Sequence, residues 1–169
     1  MAIRGDAKIV TQGDEVRKKL LKGMKTAYDA VAAGYGPVSG NVAIQRNYGK
    51  TLITHDGVSI IREIFSADEI EDTGIGLLSE ASEVTNSESG DATSATVLLG
   101  SHIAHLADQR IVAGYNPMLL RRGIDKAARY IEGQLDSLST EIKDKDLYKV
   151  AAISGGDEEL GKQVELRSR

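Results

Sequence analysis

Between Asn86 and Val97 the chain reads Asn-Ser-Glu-Ser-Gly-Asp-Ala-Thr-Ser-Ala-Thr-Val. These residue types at this spacing suit a site for Mg²⁺ and phosphate. Gly90 permits a tight turn, and Asp91 is placed to hold a hard cation. Thr93, Ser94 and Thr96 offer hydroxyls beside the free N–H groups of a helix start, where anions are favoured. The same run also fits a plain Asp N-cap with no ligand. Two further loops share its character: Gly34-Tyr35-Gly36-Pro37 and His55-Asp56-Gly57. Each puts glycine or a carboxylate where one element hands over to the next, and glycine lets a backbone approach a phosphate closely. Singly each also reads as a structural turn, since Asp-Gly ends many strands. None matches a Walker A loop or a Rossmann fingerprint.

The elements that must position these loops are mostly helical. From Gly13 to Ala33, Val16, Leu20, Met24, Ala27 and Val31 fall on one helical face. Val42–Arg46 and Thr51–Thr54 are β-prone runs joined around Asn47–Lys50, which reads as a β-hairpin. Val58–Ile64 reads as a short helix. Longer helical stretches follow at about Ser66–Ser87, Ala92–Ala113 and Pro117–Leu138, the last opened by proline at its first position. Lys143–Ala152 and Asp157–Glu165 are shorter candidates, and Met1–Thr11 reads as an extended arm. The expected class is mainly α with one small hairpin.

Composition sets the outer bounds. At 169 residues, 41% hydrophobic and 27% charged, the chain can build a core of ordinary size. It has no Trp and one Phe, so that core rests on Ala, Val, Ile and Leu. The net charge of −4, without a dense basic cluster, argues against nucleic-acid binding. The absence of Cys excludes disulfides and thiolate metal sites. No leading apolar core resembles a signal peptide and no run reaches membrane-spanning length, so the expectation is a soluble cytoplasmic protein.

The linked motifs carry a resemblance. Ala7-Lys-Ile-Val, Gly36-Pro37 with Gly40-Asn41-Val42, and Ile53-Thr-His-Asp-Gly-Val-Ser are followed by Gly90-Asp91 to Ala95-Thr-Val. Ala113-Gly-Tyr-Asn-Pro-Met, Arg122-Gly-Ile-Asp-Lys-Ala and Ala152-Ile-Ser154 complete the series. From Ala7 to about Gly161 the chain resembles the N-terminal part of a GroEL-type group I chaperonin. That resemblance implies an equatorial-domain-like helical bundle. Residues 1–137 would be the first half of the nucleotide-binding equatorial domain, and 138–169 the start of the intermediate, hinge-like domain. The apical domain and the second equatorial half, with its catalytic Asp, would be missing, and Leu166-Arg-Ser-Arg reads as a truncation.

The family uses ATP, Mg²⁺ and K⁺ to drive substrate encapsulation in stacked seven-subunit rings. By resemblance, Gly34, Tyr35, Gly36 and Pro37 would form the loop under the nucleotide. Asp91 would be the Mg²⁺ ligand, with Ala92, Thr93 and Ser94 along the phosphates. His55 would adjoin the site, Asp56 would be a second acidic, catalytic residue at the phosphate end, and Ile153 and Ser154 would lie near the base. The implied partners are copies of itself or other chaperonin subunits. Unfolded proteins and a co-chaperonin would bind only through the missing apical domain.

The departures matter as well. The family has Gly-Asp-Gly and three consecutive hydroxyl residues where this chain has Gly-Asp-Ala-Thr-Ser, so either the second Gly or one Thr is lost. One residue fewer shifts the following N–H groups by about 3.8 Å per Cα step. His55 stands at a family Lys, Val38-Ser39 at Lys-Gly and Gly40 at an Arg, so basic positions around the loops are gone. Weak or absent ATP affinity is the expectation, and hydrolysis by this chain alone would be very weak or nil. The alternative function is a non-catalytic, chaperonin-derived self-association module. Val84, Leu98, Leu99 and Ile103 are candidates for an exposed apolar patch. His102 and His105, three apart, suit a metal ion only weakly and fit a solvated or half-buried pair better. Asp68–Asp72 fits an acidic helix start, and Arg121-Arg122 fits a surface helix face as well as a phosphate or inter-ring contact.

Overall fold

The computed structural model describes residues 10–37, 39–46, 49–143, 146–155 and 157–167. Most of the expected N-terminal arm, Val38 and the Asn47-Tyr48 part of the hairpin turn lie outside them. Val10 and Thr11 are exposed and belong to no element. The order is α1 (Asp14–Ala32), β1 (Val42–Ile44), β2 (Leu52–Thr54), α2 (Gly57–Ile61), α3 (Glu69–Ser89), α4 (Thr93–Val112), α5 (Pro117–Leu138), α6 (Leu147–Gly155) and α7 (Glu158–Arg167). The strands pair antiparallel, with Val42 opposite Thr54 and Ile44 opposite Leu52. No helix among the described residues is long and apolar enough to cross a membrane. The chain divides into two compact units, residues 1–116 and 117–169.

In the first unit α1, α3 and α4 pack together and α2 closes one end. The core is Ala27 and Val31 of α1, Ile60 and Ile61 of α2, Ile75 and Leu78 of α3, and Val97 of α4. Aliphatic side chains of this size fill it without aromatics, which requires the helix axes to come close. Two glycines make that possible. A Cβ on Gly23 would overlap the Glu71 backbone, at 3.0 Å from its Cα, and one on Gly74 would overlap Leu20, at 3.1 Å from its Cα. α1 and α3 therefore touch backbone to backbone. Ser101 Oγ donates to the Met24 carbonyl at 3.2 Å, so the buried hydroxyl on α4 is satisfied by α1.

Helix ends follow local chemistry. Asp68 caps α3 by accepting the N–H groups of Ile70 (3.0 Å) and Glu71 (3.2 Å). This is why α3 starts after Asp68 rather than at Ser66, and it runs on to Ser89 until Gly90 turns left-handed (φ 70°). α2 is shorter than expected, because Arg62 and Glu63 form a turn after Ile61. Lys19 and Lys22 of α1 pair with Asp68 (2.7 Å) and Glu71 (2.6 Å), and Arg17 with Asp108 of α4 (2.5 Å). The acidic start of α3 is thus engaged in capping and ion pairs.

In the second unit α6 and α7 pack closely, Gly161 facing Tyr148 and Ala152. α5 has no buried residue.

Gly23→Ala and Gly74→Ala should each destabilise the first unit by about 1–3 kcal/mol through overpacking, read as a lowered urea midpoint. A second expectation concerns acid. The Lys19 ammonium, then the Glu71 and Ile70 N–H groups, hold Asp68 below the usual carboxylate range. A carboxyl depressed by folding contributes stability that is complete above its unfolded pKa, near 4, and is lost as pH falls through its lower folded value. Asp68→Asn keeps a capping oxygen but does not titrate. Its melting temperature should fall less steeply than the parent's as pH drops below about 4.

A candidate site for nucleotide phosphate

The three loops singled out above meet in the first unit, and glycines bring them together. α1 ends at Ala32, and the turn closes as Gly34 N–H donates to the Val31 carbonyl (3.1 Å) and Tyr35 N–H to Ala32 (3.2 Å). Gly36 is left-handed at φ 104°. A Cβ on Gly34 would lie 3.2 Å from the His55 carbonyl oxygen and 3.4 Å from its Cα, so the first loop rests on the second. A Cβ on Gly57 would overlap Ser94 Oγ and lie 2.9 Å from both the Ser94 N and Cα, so the second loop rests on the third. Gly34 and Gly57 are buried, while Tyr35, Gly36, Pro37, His55, Asp56, Asp91 and Ala92 are exposed around the junction.

Asp56 is fixed from both sides. Its N–H donates to Thr54 Oγ1 (3.1 Å), and its Oδ2 accepts the N–H (2.9 Å) and hydroxyl (2.6 Å) of Ser59. It caps α2 with one oxygen and leaves the other without a partner among the described residues. His55 Nδ1 lies 3.3 Å from Asn41 Oδ1, tying the end of β2 to the residue before β1.

The third loop behaves differently from a plain N-cap. Asp91 Oδ1 accepts the N–H of Ala92 at 2.6 Å, and α4 begins after Ala92 with no side-chain cap. Ala92 is left-handed (φ 63°, ψ 16°), alone in this among the described non-glycine residues. The reading of Asp91 as a simple cap therefore fails. The first-turn N–H groups of Thr93, Ser94 and Ala95 are left for an outside acceptor. Below them Thr85 Oγ1 and Thr96 Oγ1 are 3.0 Å apart, and Ser82 Oγ donates to the Thr93 carbonyl at 3.4 Å. These clips hold the end of α3 to the start of α4. Thr93 is buried and Ser94 half-buried.

Such a junction has the donor set that phosphate and a hard cation need: free helix-start N–H groups, hydroxyls, and two exposed carboxylates. Asp91 keeps one oxygen without a partner among the described residues, which fits an oxygen-ligated cation. Ser59, Thr54, Thr85 and Ser82 carry supporting roles that the sequence reading did not assign. Only Ser59 had a local signal, an Asp with Ser three residues on at a helix start. Ile153 and Ser154 are exposed on α6, in the second unit. The loops that converge all belong to the first unit.

The sequence profile of the TCP-1/cpn60 chaperonin family matches residues 28–165. The chain belongs to the TCP-1/cpn60 chaperonin family. Its fold is also similar to the crystal structure of the chaperonin gp146 from bacteriophage EL (Pseudomonas aeruginosa), determined in the presence of ATP-BeFx. The TM-score is 0.76 at 28% identity, over 90% of this chain and 27% of that one. This chain thus spans about a quarter of that chaperonin's length, and its class is the expected helical, equatorial-domain-like bundle with a single hairpin among the described residues.

Elsewhere in this chaperonin chain, His102 and His105 line a cavity of about 290 Å³ with Lys25, Tyr28 and Gln109. His105 Nδ1 donates to the Ser101 carbonyl at 2.8 Å. No group of three metal-ligating side chains occurs among the described residues. Of the apolar candidates, Val84, Leu99 and Ile103 are exposed, but Leu98 packs against the core beside Val97. The α4 face that carries Val97 and Ser101 inward draws Leu98 with it.

A left-handed Ala costs about 1 kcal/mol that Gly does not. Ala92→Gly should therefore raise stability by about that amount in urea unfolding. A loss of stability would mean that the methyl makes a contact that the loop depends on.

Proposed function

We propose that this chain is the nucleotide-binding part of an ATP-dependent protein-folding chaperonin subunit, with a phosphate loop one residue short. The observation that carries the reading is the contact of Gly34 with His55 and of Gly57 with Ser94, which gathers three loops around an uncapped helix start. The family membership and the likeness to gp146, solved with ATP-BeFx, support it. In this reading residues 1–137 are the first equatorial half and 138–169 the start of the intermediate domain.

Mg²⁺, when bound, would offset the charge of the phosphates. Asp91 would hold it through its unshared oxygen, and the N–H groups of Thr93 and Ser94 would receive the phosphate oxygens. Gly34–Pro37 would pass beneath the nucleotide with its backbone exposed, and Ile153 and Ser154 would adjoin the base. Ser59 would keep the Asp56 carboxylate in one rotamer, and Thr54 would hold its backbone, ready to orient a water at the phosphate end. Phosphoryl transfer depends chiefly on such positioning and charge neutralisation. The left-handed Ala92 supports reading it as the family's second glycine, so that the missing residue is one of three hydroxyls. With fewer donors, and with His55 and Gly40 at family basic positions, affinity is weak. K⁺ would be a further cofactor. Folding of other proteins would rest on parts of a chaperonin beyond these residues.

A second reading is favoured by one observation. α5 carries no buried residue, as a non-catalytic self-associating module would require.

Isothermal titration with ATP and Mg²⁺ tests the first reading. Binding weaker than micromolar is expected, dependent on Mg²⁺, with that dependence lost in Asp91→Ala and no phosphate released. Binding that ignores both Mg²⁺ and Asp91→Ala would contradict the site.

A further inference from the structure

The peptide between Asp91 and Ala92 is held by side chains alone. Its carbonyl accepts only the Ser89 hydroxyl among the described residues, at 3.0 Å, and its N–H donates to Asp91 Oδ1 at 2.6 Å. The next two peptides are tied into packed structure. The Ala92 carbonyl accepts both the N–H (2.9 Å) and the hydroxyl (3.0 Å) of Thr96. The Thr93 carbonyl accepts the hydroxyl of Ser82, a wholly buried side chain.

A trans peptide is planar, and its C=O and N–H point in opposite directions. Turning this one over rotates ψ of Asp91 and φ of Ala92 together and leaves the chain on either side in place. Ala92 would then exchange its left-handed φ of 63° for the negative one that an alanine prefers. Its N–H would also leave Asp91 Oδ1 and release the carboxylate. Local preference favours that turned-over peptide, so something must hold the strained one. Ser89 is placed to do so. It ends α3, and the left-handed Gly90 (φ 70°) brings the chain back past it. Its exposed hydroxyl reaches the Thr85 carbonyl (2.9 Å), one turn back in α3, as well as that of Asp91.

We propose that Ser89 is a positioning residue for nucleotide phosphate. Its hydroxyl latches the Asp91–Ala92 peptide in the left-handed arrangement. The latch keeps the Asp91 carboxylate for Mg²⁺ and leaves the N–H groups of Thr93 and Ser94 for phosphate. This role rests on the nucleotide reading above, and Ser89 itself touches neither ligand. It acts through the fraction of molecules whose loop is in the competent arrangement, and apparent affinity falls in proportion to that fraction.

Two measurements on the full-length chain separate the latch from the nucleotide site. The first needs no nucleotide. A left-handed Ala92 brings its N–H close to its own Hα and gives a strong intraresidue cross-peak in ¹⁵N-edited NOE spectra. Ser89→Ala should weaken that cross-peak, and Ser89→Thr, which keeps the hydroxyl, should not. The second is titration with Mg²⁺ and ATP. Ser89→Ala should bind about fivefold more weakly than the parent, as the loss of one hydrogen bond implies, with Ser89→Thr close to the parent. Glycine is left-handed without strain, so in an Ala92→Gly background Ser89→Ala should change affinity by less than about twofold. Ser87→Ala is the control, because that hydroxyl donates to the Val84 carbonyl (2.8 Å) within α3 and should leave both readouts unchanged. Ser87, Ser89 and Ala92 are all exposed, so these variants keep the fold, checked by circular dichroism. A Ser89→Ala chain that keeps the cross-peak, or loses it yet binds Mg²⁺ and ATP as the parent does, would overturn the latch and leave the nucleotide reading standing. An equal loss of affinity in the Ala92→Gly background would overturn it too, since the hydroxyl would then act without holding a strained residue. A parent chain that binds no ATP at millimolar nucleotide would overturn the nucleotide reading and with it the role of Ser89.

Discussion

Backbone-to-backbone contact at glycine is the constraint on which the first unit depends. Gly23 and Gly74 let α1 and α3 touch, Gly57 admits the first turn of α4, and Gly34 lies on His55. A core made of Ala, Val, Ile and Leu has little volume with which to span wide gaps, so close axes and small side chains imply each other. The same contacts that close the core gather the loops. Were Gly57 to carry a side chain, the start of α4 would move from the Asp56 turn, and the second and third loops would part. Stability and site geometry are here consequences of one packing arrangement.

Hydrogen bonding then separates structural helix starts from the candidate functional one. α2 and α3 are both capped by Asp in the ordinary way, Asp56 through Ser59 and Asp68 through Ile70 and Glu71. α4 has an Asp two residues before its first residue, yet that carboxylate turns to Ala92 N and leaves the helix start open. The left-handed Ala92 makes the difference. It reverses the chain between Asp91 and Thr93, so the carboxylate does not cap the N–H groups of the helix start.

Much of this architecture was legible in the sequence, because periodicity and capping are local. The buried face of α1, the presence of the hairpin and the proline start of α5 all follow from spacing and turn chemistry. The start of α3 was misplaced only by the stretch between Ser66 and Asp68, where a cap outweighs helical periodicity. Leu98 was misread because one residue's shift around a helix separates a flank from a face. The three candidate loops were identifiable by residue type, but their convergence was not. Gly34 and His55, or Gly57 and Ser94, are distant in sequence, and a missing Cβ leaves no periodic trace. The exposure of α5 was likewise hidden, since an amphipathic stripe reads the same whether it is covered or bare.

Amide NMR observes each of the three loops separately and so tests whether they form one site. On titration of ¹⁵N-labelled chain with Mg²⁺ and ATP, Gly34, Gly36, His55, Gly57, Asp91, Thr93 and Ser94 should shift together along one binding curve. Shifts confined to a single loop, different curves for different loops, or no change at millimolar nucleotide would contradict it.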